Sequence, residues 1–182
     1  YGDRSTLALN MLDASAILWR LYLGGVDVGD RWQALADNWQ AAKPGGHYAF
    51  NDMHAAMAFV GAGCSADLDR LLAAQEAAIE GQGDNAAFTR DVGRPATLAV
   101  IAFGQGDYGA AIRHLEPIRA IAHRFGGSHA QRDVLELTLV EAALRAGDRD
   151  LAGRLTAQRH QLRPHSPLSG LLVKRSAGIA SA

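Results

Sequence analysis

The chain has 182 residues, a formal net charge of −1, 48% hydrophobic side chains and one cysteine, Cys64. Scattered arginines on a nearly neutral chain exclude the basic surface that nucleic acid demands, and a lone thiol excludes an intrachain disulfide and suits a reducing cytoplasm. No apolar run reaches the ~18 residues that span a bilayer, and the N-terminus lacks the basic-then-apolar layout of a signal peptide.

Ala and Leu far outnumber Val, Ile and Thr, which favours helix over strand. A first helix is predicted from about Ser5 to Leu23, with Leu7, Met11, Ala14, Leu18 and Leu21 at helical spacing. Gly24 to Gly29 breaks it. Asp30 is placed to cap a second helix carrying Trp32, Leu35 and Trp39, which Pro44-Gly45-Gly46 stops. Met53, Ala56, Met57 and Val60 mark a third helix ending at Gly61-Ala62-Gly63, and Ser65 is placed to cap a fourth with Leu68, Leu71, Leu72 and Ile79. After a polar break at Gly81 to Asn85, a helix through Leu98 to Phe103 turns at Gly104-Gln105-Gly106-Asp107-Tyr108 into one with Ala111, Ile112 and Leu115. Asp107 caps that turn, Tyr108 packs over it, Ala111 lets the helices approach, and Pro117 bends the returning helix by removing a backbone donor. Ser128 and Gln131 form a capping box for a helix with Leu135, Leu139, Ala142 and Ala143. Gly147-Asp148 turns the chain into a helix with Leu151, Leu155 and Leu162, stopped at Arg163-Pro164. Leu171-Leu172-Val173 suffices for a short capping helix within a tail that is expected to fray over 169–182.

Four aspartates organise these elements: Asp13, Asp52, Asp91 and Asp133 recur at nearly fixed intervals, each followed by glycine punctuation. Such a period marks stacked helix pairs. The expectation is an all-α, tetratricopeptide-like superhelix of about four antiparallel hairpins forming one domain, with an aspartate on the first helix of each pair. The chain starts at Tyr1 rather than Met and opens almost at once into a helical pattern, so it is read as a piece of a longer protein.

First helices line the concave wall of such an array. The candidate ligand-binding residues therefore are Asn51, Asp52 and His54 on the second pair, Arg90 and Asp91 on the third, and His129, Arg132 and Asp133 on the fourth. The rival account is a structural ladder, in which Arg90 pairs with Asp52 and Arg132 with Asp91. A metal centre has candidate ligands in His47, Asp52, His54 and His129, but no His-Glu-x-x-His or cysteine spacing supports it. No metal or cofactor is expected. Ser128 beside His129 and Asp133 suggests a triad, yet adjacent helical residues do not face each other.

Gly-Gly-Ser-His-Ala-Gln-Arg-Asp at 126–133, together with Phe50-Asn51-Asp52-Met53-His54-Ala55 and Gly104-Gln105-Gly106-Asp107-Tyr108, resembles the tetratricopeptide repeat protein 38 family. The resemblance runs from about Asp13 to Leu168 and is similar to the later part of that family's longer chains. It implies a helical superhelix and brings no settled activity. Pro95 stands where the tetratricopeptide pattern prefers Trp. The function expected is a binding module that holds a peptide, a protein partner or a small polar ligand in its groove. The alternatives are an enzyme using the Asp/His/Asn/Arg cluster for acid–base chemistry, with Asp52 or His54 as base and Arg132 as anion clamp, and a homo-oligomerisation scaffold.

Overall fold

The computed structural model describes residues 6–179. Among them every regular element is helical: α1 (Ala8–Leu23), α2 (Arg31–Ala42), α3 (Ala49–Ala62), α4 (Ser65–Ile79), α5 (Asp84–Phe88), α6 (Arg94–Gly104), α7 (Tyr108–Leu115), α8 (His129–Ala146), α9 (Arg149–Leu162) and α10 (Pro167–Ala177). None of these helices is long and apolar enough to cross a membrane.

A π-helical turn, Thr89–Gly93, joins α5 to α6 without a break. There the Arg94 N–H reaches back five residues to the Thr89 carbonyl. Pro95 has no N–H to give to the residue four before it, so the ladder slips by one bond at this point. The joined helix and α7 make the third hairpin, beside α1–α2, α3–α4 and α8–α9.

Caps set the turns. Asp107 Oδ1 accepts from Ala110 N at 2.8 Å, and Asp148 Oδ1 accepts from Leu151 N at 3.0 Å. The predicted capping box is formed: Ser128 Oγ accepts from Gln131 N at 3.2 Å and Gln131 Oε1 accepts from Ser128 N at 2.8 Å. Pro117 ends α7 rather than bending it, and the chain continues as a 3-10 turn over Glu116–Ile118. Two expected caps are absent. Asp30 already has helical backbone (φ −74, ψ 0) and its side chain caps nothing, whereas an N-cap needs an extended residue. Ser65 lies inside α4, behind Cys64. The tail expected to fray from residue 169 is helical through Ala177: Leu172, Ser169 and Ser176 are buried, and Thr156 and Ser176 share a hydroxyl bond of 2.9 Å. Residues 180–182 lie outside the described part, as does Ser5.

The hairpins do not splay into an open arc. Helix α3 packs among α1, α2, α4 and α6, and α1 packs on both α3 and α8. Trp19 Nε1 donates to Thr138 Oγ1 at 2.9 Å, Arg20 Nη2 to the Ala130 carbonyl at 2.8 Å, and Arg145 Nη2 to the Leu23 carbonyl at 3.0 Å. The first hairpin thus meets the fourth. Between them lies an aromatic core in which Trp19 stands edge-on to Phe103 (5.8 Å) and Phe103 edge-on to Tyr108 (5.3 Å). Close crossings make this possible. A Cβ on Gly104 would run into Val60, and one on Gly61 into the Trp32 ring, so both glycines sit inside or at the end of helices as contact points.

The wall along which the repeat reading puts a groove is consequently filled. From Ala49 to Phe59, α3 is buried at every position but Asn51. The four aspartates do sit on α1, α3, the π turn and α8, but they share no environment: Asp13 is exposed, Asp52 buried, Asp91 and Asp133 half-buried.

Candidate functional site

The second-hairpin residues face inward. Asp52 is 1% exposed; its Oδ2 accepts from Gly46 N at 2.9 Å and from Gln75 Nε2 at 3.3 Å, and Gln75 Nε2 also reaches Thr97 Oγ1 at 3.0 Å. Burial raises its carboxyl pKa above the usual range, against the pull of the Gly46 and Gln75 hydrogen bonds. His54 is fully buried and donates from Nδ1 to the Phe50 carbonyl at 2.8 Å, leaving Nε2 without a partner. Burial lowers its pKa to about 4, and the nearby Arg20 charge adds to the effect. Two residues apart on one helix, Asp52 and His54 point to different sides. They are no acid–base pair, and they do not converge with Arg132 and Asp133 as expected. Asn51 is half-buried, with Oδ1 enclosed and unpartnered.

The ladder is absent too. Arg90 donates to the Ile79 carbonyl at 3.4 Å instead of meeting Asp52. Asp91 is held by Arg124 Nη1 at 3.1 Å. Arg132 donates to the Gly126 carbonyl at 3.0 Å and to the Gly127 carbonyl, stapling the loop before its own helix. Neighbouring hairpins are therefore not joined by the predicted ion pairs.

What the structure does assemble is a cleft at the start of α8. The capping box fixes the first turn, so Arg132 and Asp133 follow His129 by three and four residues, Glu136 follows them by four and three, and all four lie along one face. Asp133 receives both terminal nitrogens of Arg159, Nη1 at 2.6 Å and Nη2 at 3.1 Å, and also Arg163 Nη1. Burial works against its ionised form, but the bonds and charges of Arg159 and Arg163 outweigh it and hold its pKa below the ordinary carboxylate value. One turn on, Glu136 accepts from Arg119 Nε at 3.2 Å and Nη2 at 2.9 Å, and Arg119 Nη2 also reaches Gln158 Oε1 at 2.9 Å.

Two hollows meet here. One, of about 290 Å³, has a floor of Leu115, Ile118, Ala122, Leu135 and Leu139. The other, of about 360 Å³, is bounded by Gln158, Arg159, Leu162 and Arg163. Arg119, His129, Asp133 and Glu136 line both, and Arg132 borders the first. Four guanidinium groups thus surround two carboxylates, which leaves a local excess of positive charge. Arg20 lies beneath the pair: burial lowers its pKa, opposed by Asp133. Among the described residues no three His, Cys, Asp or Glu side chains gather as a metal ion would require.

Three of the eight expected site residues, His129, Arg132 and Asp133, belong to this cleft. Arg20, Arg119, Arg159 and Arg163 were not anticipated. One signal for them was present: Arg159 lies in the last turn of α9 and Arg163, four residues later, is the residue that ends the helix. No protein-family model matches this chain, and no solved structure matches it.

Proposed function

We propose that this chain is a binding module of tetratricopeptide-like hairpins that holds an anionic group of its ligand or partner in the α8–α9 cleft. The observation that carries the reading is the set of four arginines around only two carboxylates, in a concavity where Arg163 and Arg119 keep 43% and 32% of their side chains exposed. Arginine matches carboxylate and phosphate geometry with two parallel donors, so such a surplus attracts and orients an anion. Catalysis has less support. A general base works best with a pKa near neutrality, whereas the Asp133 carboxyl is held below its usual value and His54 and Asp52 are enclosed elsewhere.

Inorganic phosphate is a sufficient probe. At constant ionic strength, replacing chloride by phosphate raises the melting temperature of the parent chain, and the Arg119→Gln, Arg163→Gln double variant loses that increment. Equal melting in both salts overturns the reading. A second reading, self-association, is favoured by the outer face of α1, where Leu9, Ile17 and Leu21 with Val26 are exposed beside a hollow of about 470 Å³. A concentration-dependent sedimentation coefficient that Ile17→Asp abolishes is its expected signature.

A further inference from the structure

We infer that the groove along the outer face of α1 receives α10 of a second copy of this chain, lying antiparallel to α1. This rests on self-association through the α1 face and adds what that face receives.

The groove is a product of helix geometry. Asn10, Ala14 and Leu18 make one row of residues four apart on α1, and Asp13, Ile17 and Leu21 make the next. Both rows line the hollow of about 470 Å³, together with Val26 and Arg31. Ala14, the smallest residue of the two rows, leaves the middle of the groove low. Its apolar wall is open to a partner: Ile17 is 57%, Val26 50% and Leu21 38% exposed. Contiguous apolar surface of this kind marks interaction sites.

A ridge of the matching kind stands on α10. Leu168, Leu171 and Lys174 are three residues apart, and the two leucines are 42% and 53% exposed while Ser169 and Leu172 between them are buried. Residues three apart on one helix fit the groove between rows four apart on another, at a crossing angle of about 20°. Six residues separate Leu168 from Lys174, ~9 Å of helix, and eight separate Asp13 from Leu21, ~12 Å. The ridge therefore lies within the length of the groove.

Charge sets the direction. Asp13 is exposed in the N-terminal half of α1, whereas Asp27 and Arg31, which also line the hollow, offset one another. Helix α10 has no acidic residue; its Arg175 is held by Glu141, and Lys174 is exposed in the last turn. Among the described residues neither Asp13 nor Lys174 has an ion-pair partner in its own chain. Antiparallel seating brings Lys174 to Asp13, Leu171 to Ile17, and Leu168 to Leu21 and Val26. Parallel seating would leave Asp13 facing Leu168.

Sedimentation velocity over a concentration series is the test. The parent chain is expected to associate, and Leu171→Asp should be monomeric, as is expected of Ile17→Asp. Because the contact joins two different patches, an equimolar mixture of these variants has one intact ridge and one intact groove. It should form a one-to-one complex of twice the monomer mass. In the otherwise parental chain, Lys174→Asp should weaken association by ~threefold or more at low salt, and adding Asp13→Lys should restore it. All four side chains are exposed, which keeps the variants folded. Two monomeric variants that stay monomeric when mixed overturn the inference. A Leu171→Asp chain that associates like the parent also overturns it and leaves self-association through α1 standing. A charge-exchanged chain as weak as Lys174→Asp overturns the antiparallel seating. A parent that is monomeric at every concentration removes both this inference and the self-association reading.

Discussion

Acidification offers a sharp test of the packing around α3. An ordinary histidine titrates at 6.5, and burial draws His54 to about 4. Each tenfold loss of proton affinity corresponds to ~1.4 kcal/mol, so the proton favours the unfolded chain by roughly 3 kcal/mol. The direction follows from linkage: a neutral buried histidine leaves stability whole above the unfolded value of 6.5, and stability falls as pH drops toward about 4, where the loss levels off. Asp133 and Glu141 titrate below their ordinary values because arginines bind them, so their contributions survive through most of this window. Asp52 moves the other way. His54→Phe isolates the single group. It keeps a ring against Phe50, whose centroid lies 4.5 Å away, and removes the proton site. Urea denaturation at about pH 7 and about pH 4 should show the parent losing roughly 3 kcal/mol more than the variant across that interval. Equal losses in the two chains, within ~0.5 kcal/mol, would refute the claim that His54 is buried in its neutral form.

Three substitutions probe other contacts. Asp133→Asn leaves the 5%-exposed Arg159 without its carboxylate and should cost roughly 3 kcal/mol by denaturant midpoint, with the half-exposed Arg163 adding little; a loss under ~1 kcal/mol contradicts the buried pair. Asp52→Asn should leave the melting temperature equal or higher, since among the described residues no Arg or Lys forms an ion pair with the buried carboxylate, the His47 charge is the weakest influence on it, and the amide oxygen still accepts from Gly46 N; a marked drop would contradict this weak coupling. Gly61→Ala gains ~1 kcal/mol of helix propensity but forces a methyl into the Trp32 ring, an overpacking cost of ~1–3 kcal/mol. A net loss of stability is expected, and a net gain means that α2 and α3 cross less closely than described.

The helices themselves were legible because apolar spacing and capping chemistry act locally. Ser128 with Gln131, Asp107 and Asp148 behave as their sequence neighbourhoods require. Prediction failed where the outcome depended on how helices cross. A spacing of about forty residues places Asp52, Asp91 and Asp133 on corresponding helices, yet it includes loops of unequal length and so does not fix the direction in which each side chain points. One is sealed under Gly46, one meets Arg124 and one meets α9. Taking candidate residues from first helices alone hid Arg159, which is 5% exposed and binds the carboxylate that α8 presents. Gly61 and Gly104 likewise read as helix stops, whereas the backbone continues through Gly61 and both positions are where a neighbouring side chain needs the room.

Closure of the helical assembly and the cleft share groups, so on the binding reading proposed above the seam between the first and fourth hairpins has to survive exchange of a ligand. Arg20 of α1 holds the Ala130 carbonyl in the first turn of α8, directly under the Asp133 cluster. If closure relied on that contact alone, drawing Arg163 toward a ligand would disturb the seam between the first and fourth hairpins. It does not rely on it alone: Trp19 to Thr138 and Arg145 to the Leu23 carbonyl tie α1 to α8 farther along. Arg145 is in turn anchored to Glu141, which Arg175 of α10 also binds through two bonds, at 2.8 and 2.9 Å. An anion that takes Arg163 therefore leaves Asp133 bidentate on Arg159 and the seam intact. The exposed arginine is free to exchange partners while the buried one keeps α8 and α9 in register, a division of labour that the exposures of 43% and 5% already express.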